Sequence, residues 1–241
     1  MIDGTGIVSL NKTLSRSLSA QVSRQIGERI LDGQLDPGQM LPDENALCAE
    51  FGVSRTVVRE AVKMLVAKGM LEVRQRIGTR VQEVRNWQML DRDVLLWHQA
   101  LVVEDERLLR LMELRQSIEP DAAYFAAQRH TEEDLNEIFG ALDRMSKHVG
   151  QNSEYVLADA LFHVSVLRAA HNPYLDALEN AIFAGLMLSI RVTNPDQKQN
   201  ELSVPLHRNV AEAIRAGDAE AAREGMKAHL ADSSHRLEKV L

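Results

Sequence analysis

The chain has one cysteine, Cys48, in 241 residues. It can form no internal disulfide, and the thiol reads as a small packing residue kept reduced rather than as a nucleophile. Long hydrophobic runs are missing too. The most apolar stretch, Ala181 to Ile190, ends at Arg191 and reaches about half the ~20 residues that a membrane span requires. Met1 to Lys12 contains no secretory apolar core. These absences lead to the expectation of a cytoplasmic protein without a membrane segment. Two further absences narrow the function. No HExxH-like arrangement sets an acid beside paired histidines, and beyond about residue 82 no alternating apolar–polar pattern indicates strands.

What is present is enough apolar material, 45% of residues, to bury two cores in a chain of this length. Charge is divided unevenly. Residues 1–85 hold 12 Lys and Arg against 10 Asp and Glu, whereas the remainder holds 16 against 25. A slightly basic domain thus precedes an acidic one, within a net charge of −7. Clustered cations would still allow such a protein to bind DNA, with an affinity that falls steeply as salt rises.

Residues 41–80 organise the first domain. Pro42 ends an extended segment, and Asp43 can cap a helix through Asn45, Leu47 and Cys48. Gly52 suits the left-handed residue that ends it, and Ser54 can cap the next helix. At 100° per residue, Val57, Val58, Ala61, Val62 and Leu65 gather on one arc of that second helix. Arg55, Thr56, Arg59 and Lys63 gather on the other. Such a cationic arc is often no more than a solvated face. Here, however, Gly69 ends the helix, and residues 71–74 and 79–81 alternate around Gln75 to Gly78 like a short hairpin carrying Arg74, Arg76 and Arg80. A helix that can enter the major groove, followed by a basic hairpin that can straddle phosphates, is a winged helix-turn-helix. Ser17 to Leu31, with Leu18, Val22, Ile26 and Ile30 at helical spacing, supplies its first helix.

This stretch resembles the GntR family of bacterial transcription regulators. The resemblance rests on Leu41-Pro42-Asp43-Glu44, the run Gly52-Val53-Ser54-Arg55-Thr56-Val57-Val58-Arg59-Glu60-Ala61, Leu65, Gly69 and Gly78-Thr79. It implies that Ser54, Arg55, Thr56, Arg59, Arg74, Arg76 and Thr79 face double-stranded DNA. Two positions depart from the family pattern. Asn45 stands where many members carry a basic residue, and Arg76-Ile77 replaces the usual glycine-containing wing tip.

From residue 91 onward the periodicity predicts about seven helices, an all-α bundle with a kink at Pro120. Glu113-Leu114-Arg115, Glu119-Pro120, Asp159-Ala160-Leu161-Phe162-His163, His171-Asn172-Pro173 and Ala213-Ile214 before Gly217-Asp218 are similar to the FCD ligand domain of the FadR subfamily. The expected organisation is a disordered N-terminus over 1–11, a winged helix-turn-helix over 12–82, a linker over 83–92 and an FCD-like helical bundle over 93–241. The fold class is mainly α.

Asp159 and His163, four residues apart, project from one face of a helix that is apolar nearly all round. A carboxylate and an imidazole buried together are paired with each other or hold a metal. His207 and His229 flank the apolar stripes of two later helices, so one oxygen and three nitrogens could meet, a set suited to zinc or nickel. The resemblance implies the same four ligands, since many FCD domains bind a divalent metal through one Asp and three His. His98, His130, His148, His171 and His235 read as surface or helix-end residues. A carboxylate ligand would call for a guanidinium, for which Arg115 and Arg236 are candidates; Arg115 is equally well placed for a helix ion pair with Glu119. The segment Asn86-Trp87 to Trp97 is similar to the one after the wing in repressors of galactonate and related aldonate catabolism.

The expected function is therefore a DNA-binding regulator, a repressor acting as a homodimer on a palindromic operator. Its effector is a small carboxylate, with an aldonate the candidate, held in a metal-containing helical cavity. The alternatives are a metalloenzyme acting on a small carboxylate and a regulator that responds to metal alone.

Overall fold

A computed structural model of the chain describes residues 17–100, 105–193 and 197–239. It falls into two units, residues 1–101 and 102–241. The segment 1–11 expected to be disordered lies outside the described residues.

In the first unit, Ser17 caps α1 (Leu18–Leu31) by accepting from the Ala20 amide. One turn apart, Val22, Ile26 and Ile30 are buried. Asp43 caps α2 (Glu44–Phe51), Gly52 takes a left-handed φ of 63°, and Ser54 caps α3 (Arg55–Ala67). These are the local signals that the sequence carries. Strands β1 (Leu71–Arg74) and β2 (Gly78–Val81) pair antiparallel, with Leu71 opposite Val81 and Arg74 opposite Gly78.

The segment expected to be a linker instead folds back on the end of α3. The Gln88 amide donates to the Lys68 carbonyl over 2.9 Å, and the Gln88 side-chain amide donates to the Ala67 carbonyl over 2.8 Å. Lys68 Nζ lies 2.7 Å from Asp91 Oδ1 and 2.9 Å from Asp93 Oδ2. Gly69 turns so tightly beneath this segment that a Cβ there would lie 2.0 Å from the Asn86 carbonyl oxygen. Helix α4 (Arg92–Ala100) then packs on α1, placing Val94 and Trp97 in the core of the first unit. The expectation that the second domain begins at residue 93 is thereby corrected. Trp97 needs a cavity, and Gly27 of α1 opens one: a Cβ on Gly27 would meet the indole at 2.4 Å.

The described part of the second unit has six long helices and one single turn. They are α5 (Asp105–Arg129), α6 (Glu132–Lys147), α7 (Asn152–Ala169), the turn α8 (Pro173–Asp176), α9 (Glu179–Thr193), α10 (Gln197–Arg215) and α11 (Ala219–Glu238). Helix α5 runs through Pro120 and α10 through Pro205 without a break. Each proline removes one i→i−4 donor; the bundle's side-chain packing outweighs that loss. The most deeply embedded helix is α7. Tyr155, Val156, Phe162, Val166 and Leu167 are buried around it, and it packs against α5, α6 and α9. Asp159 and His163 are carried inward with them. Among the described residues, no helix is long and apolar enough to cross a membrane.

Candidate metal centre and DNA interface

On α3, Val58, Ala61 and Leu65 are buried while Arg55, Thr56 and Arg59 are exposed. The helix therefore docks by one arc and presents the other. Its cations are partly engaged already. Arg59 Nε donates to Glu44 Oε2 over 2.8 Å, and Arg55 Nε lies 3.9 Å from Glu44 Oε1. The hydrogen bond to Glu44 raises the Arg59 pKa further. On the wing, Arg74 Nε and Arg80 Nη2 lie 3.1 and 3.0 Å from Glu72 Oε2. Hydrogen bonds from Arg74 and then Arg80 hold the Glu72 carboxyl below its ordinary value. Exposed pairs of this kind exchange readily with water and phosphate. Thr79 is half-buried, and its carbonyl accepts from the Leu41 amide over 2.9 Å, so this residue ties the wing to the helices.

In the second unit, four helices bring side chains to one buried point. Helix α7 supplies Asp159 and His163, α10 supplies His207, α11 supplies His229 and α5 supplies Arg115 and Glu119. All six are buried. His163 Nε2 is 3.3 Å from His207 Nε2 and 3.3 Å from His229 Nε2. Asp159 Oδ1 is 3.3 Å from both His163 Nε2 and His207 Nε2.

Proton positions follow from the outer neighbours. His163 Nδ1 lies 2.6 Å from Glu119 Oε2, so close that a proton must stand between them, and Nδ1 carries it. His207 Nδ1 lies 2.9 Å from the Ser203 carbonyl oxygen. A carbonyl only accepts, so Nδ1 carries the proton there too. In the neutral rings both Nε2 lone pairs then face each other and a carboxylate oxygen. Without a positive charge between them that arrangement is repulsive.

Three imidazole nitrogens within 4.8 Å of one another, with Asp159 Oδ1 against two of them, suit a cation. Ligand atoms about 2.1 Å from a tetrahedral ion stand ~3.4 Å apart, close to the four separations of 3.3 Å. Orientation of each ligating ring by an acceptor on its far nitrogen is the usual supporting arrangement. The carboxylates draw positive charge to the same point. Burial disfavours charge on His163, yet Glu119 and Asp159 outweigh it and raise its pKa. Asp159 is held well below its ordinary value despite burial, chiefly by His207. Glu119, also buried, is lowered to about 2 by Arg115 and His163. His229 is pushed well below its ordinary value by burial and by its positive neighbours, which keeps it neutral and able to ligate.

Arg115 makes the helix ion pair and also reaches the cluster. Its Nε donates to Glu119 Oε1 over 2.7 Å, the helix ion pair, while its Nη2 stands 3.4 Å from His163 Nε2, beside the cluster. Arg236, two turns beyond His229 on α11, lies 3.3 Å from Ser233 Oγ and 3.0 Å from Asp232 Oδ2. Among the remaining histidines, His171 and His235 are exposed, whereas His98 is buried at the end of α4. Sequence reasoning assigned no role at the cluster to Glu119 or Ser203. Their signal was the spacing of four residues, Glu119 after Arg115 and Ser203 before His207, on faces directed inward.

Comparison with known proteins agrees with this architecture. Residues 18–81 match the family described as bacterial regulatory proteins, gntR family, and residues 110–232 match the FCD domain. The galactonate operon transcriptional repressor of Escherichia coli K12 is 34% identical over 97% of this chain and 100% of its own length. The HTH-type transcriptional regulator LutR of Bacillus subtilis is 31% identical over 83% of this chain and 92% of its own. Among solved structures, Lar of Listeria monocytogenes aligns with a TM-score of 0.67 at 23% identity, over 95% of this chain and 99% of its own. That likeness speaks to the fold. These relatives are transcription regulators, with no enzyme among those named. A DNA reader joined to a helical ligand unit, matched over nearly its whole length by such regulators, makes this chain a member of the GntR family of bacterial transcription regulators, with an FCD domain as its second unit.

Proposed function

We propose that the protein is a repressor whose operator affinity is set by a sugar acid bound at a divalent metal in the second unit. The observation that carries this reading is the convergence of three imidazole nitrogens, with Asp159 Oδ1 beside two of them. Asp159, His163, His207 and His229 hold the ion, zinc or nickel by the chemistry of the donor set. Glu119 and the Ser203 carbonyl orient the rings.

Bound there, a divalent ion supplies a Lewis-acidic point for a carboxylate. Charge counting favours an anionic effector. Among the described buried residues of this unit, two carboxylates, Asp159 and Glu119, face one guanidinium, Arg115. A dication over-neutralises them by one charge, which a monocarboxylate completes. The Arg115 guanidinium, already beside His163, is placed to receive that carboxylate, with Arg236 the second candidate. An aldonate is favoured because the most similar regulator named above represses a galactonate operon.

Two copies place their α3 helices in successive major grooves of a palindrome, with Arg55, Thr56 and Arg59 towards bases and phosphates, and Ser54, Arg74 and Thr79 fixing register. Effector binding controls DNA affinity only if the effector binds the two forms of the dimer unequally.

The test is thermal unfolding of metal-stripped and metal-reloaded protein against aldonates, hexuronates, lactate, glycolate and citrate. A ligand at a hundred times its Kd adds about 2.7 kcal/mol. A metal-dependent shift with one sugar acid, lost in His163→Ala, and release of DNA by that acid are the expected results. A shift with metal alone, and none with any acid, would overturn the sugar-acid assignment.

A further inference from the structure

We infer that the Asn200 side chain reads the far hydroxyl of the effector, which makes the second unit selective for an extended polyhydroxy monoacid over a short hydroxy acid. This rests on the proposed seating of the effector carboxylate at the metal and assigns the other end of the same site.

Asn200 lies in the first turn of α10 and is 0% exposed. Its Nδ2 donates to the Val149 carbonyl over 2.9 Å, and its own backbone carbonyl accepts from the Tyr155 hydroxyl over 3.4 Å. A carbonyl only accepts, so the amide nitrogen is the atom that faces Val149 and Oδ1 faces away from it. Among the described residues nothing donates to that oxygen. A buried acceptor without a donor is rare and destabilising in a folded protein. It marks a place where a donor from outside the chain belongs.

Three helices set this oxygen in line with the proposed metal centre. On α10, Asn200 precedes His207 by two turns, with Ser203 between them. Helices α10 and α11 run antiparallel: the His207 and His229 ring centroids are 4.1 Å apart, and a Cβ on Gly225 would lie 3.3 Å from Val210. Ser233 and Arg236, one and two turns beyond His229, therefore climb α11 beside Ser203 and Asn200. On α7, Tyr155 stands one turn before Asp159 and meets Asn200. Both serines are buried. A column of polar side chains thus begins at the four proposed ligands and ends at Asn200. Such groups need partners once dehydrated, and a polyol chain supplies a run of them.

Length decides which acid fits. At a rise of ~1.5 Å per residue, Asn200 stands ~10 Å from His207 along α10. An extended six-carbon acid, with C–C bonds of ~1.5 Å and its carboxylate oxygen about 2.1 Å from the ion, carries its last hydroxyl roughly that far. Lactate or glycolate ends well short of Asn200 Oδ1 and leaves it without a donor. A diacid would set a carboxylate against this acceptor, and Arg236 is already paired with Asp232 over 3.0 Å.

The experiment is titration calorimetry on the nickel-loaded full chain and its Asn200→Leu and Asn200→Ala variants. The ligands are galactonate, gluconate and mannonate, the 6-deoxy form of whichever binds most tightly, and lactate. Circular dichroism and nickel affinity check the fold and the metal site. Wild type should bind the 6-deoxy acid ~10- to 100-fold more weakly than its parent, the loss that follows when a buried acceptor gains no donor. Both variants should lose that discrimination: they bind the parent acid more weakly and the 6-deoxy acid no worse than wild type does. If Asn200 only holds Val149 in place, its variants will be less stable and will weaken parent, 6-deoxy acid and lactate by one common factor. That result, a wild type indifferent to the 6-hydroxyl, or a folded variant that still distinguishes the pair overturns the assignment of Asn200 and leaves the metal-bound sugar acid standing. If none of the acids binds the nickel-loaded chain, the sugar-acid reading falls and this inference with it.

Discussion

Glu119→Gln isolates the support of the proposed metal centre from its ligands. The substitution keeps the shape of a side chain that is 2% exposed, and its one amide oxygen can accept from either His163 Nδ1 or Arg115 Nε, which address different oxygens of the native carboxylate. What it removes is a full negative charge 2.6 Å from the ring of a proposed ligand. Loss of a supporting carboxylate typically lowers metal affinity ~10- to 100-fold, which is about 1.4–2.8 kcal/mol at 1.4 kcal/mol per decade. Alanine would be the wrong choice. It would strip the buried Arg115 guanidinium of the Glu119 carboxylate, at a cost of about 3–5 kcal/mol, and so confound folding with binding. The assay is competition for zinc or nickel against a chromophoric chelator, at a pH where the wild type is folded, with circular dichroism as the control. Metal affinity equal to wild type in a folded Glu119→Gln protein would refute the argument that the outer carboxylate tunes the site.

Three further outcomes follow from the packing. Trp97→Ala should cost about 3–5 kcal/mol, and hydrogen exchange should show the lost protection in residues 17–81; loss confined to residues 105–239 would contradict the assignment of α4 to the reader. Gly69→Ala forces a Cβ to within 2.0 Å of the Asn86 carbonyl at a φ of 70° and should destabilise the reader by at least ~2 kcal/mol, whereas a change in urea midpoint within experimental error would mean that the turn relaxes freely. Asp134 caps α6 in a reciprocal box with Thr131. Partial burial raises its pKa, but the Thr131 amide and hydroxyl and His171 outweigh that and leave it lowered. A depressed carboxyl stabilises above its unfolded value of about 3.9 and loses that contribution as pH falls through the lower folded value. Asp134→Asn should therefore flatten the acid limb of the stability curve, and an unchanged limb would deny Asp134 that part.

Much of the reader was legible in the sequence because its signals are local. Caps at Asp43 and Ser54 lie within three residues of the amides they satisfy, the turn at Gly52 needs one backbone conformation, and the two faces of α3 follow from a 3.6-residue repeat. Asp159 and His163 were legible as a pair for the same reason, since a spacing of four residues sets them on one helix face. The limits of the reader were not legible. Trp97 looked like the start of the next domain, and only the gap above Gly27, seventy residues earlier in the chain, shows where its indole packs.

The chain order of helices, caps and wing was thus determined by sequence alone, and so was the family, through motifs of fixed spacing. The tertiary structure decided which buried groups meet. His207 and His229 stand 44 and 66 residues from His163, and nothing in their own helices specifies a separation of 3.3 Å. That distance results from the packing of α7, α10 and α11 around a shared core, together with the outer contacts of Glu119 and Ser203 that turn the rings. Periodicity fixes a side chain's face over a few residues. Bringing separate faces to one point depends on side-chain volumes summed across the bundle, which no local pattern contains.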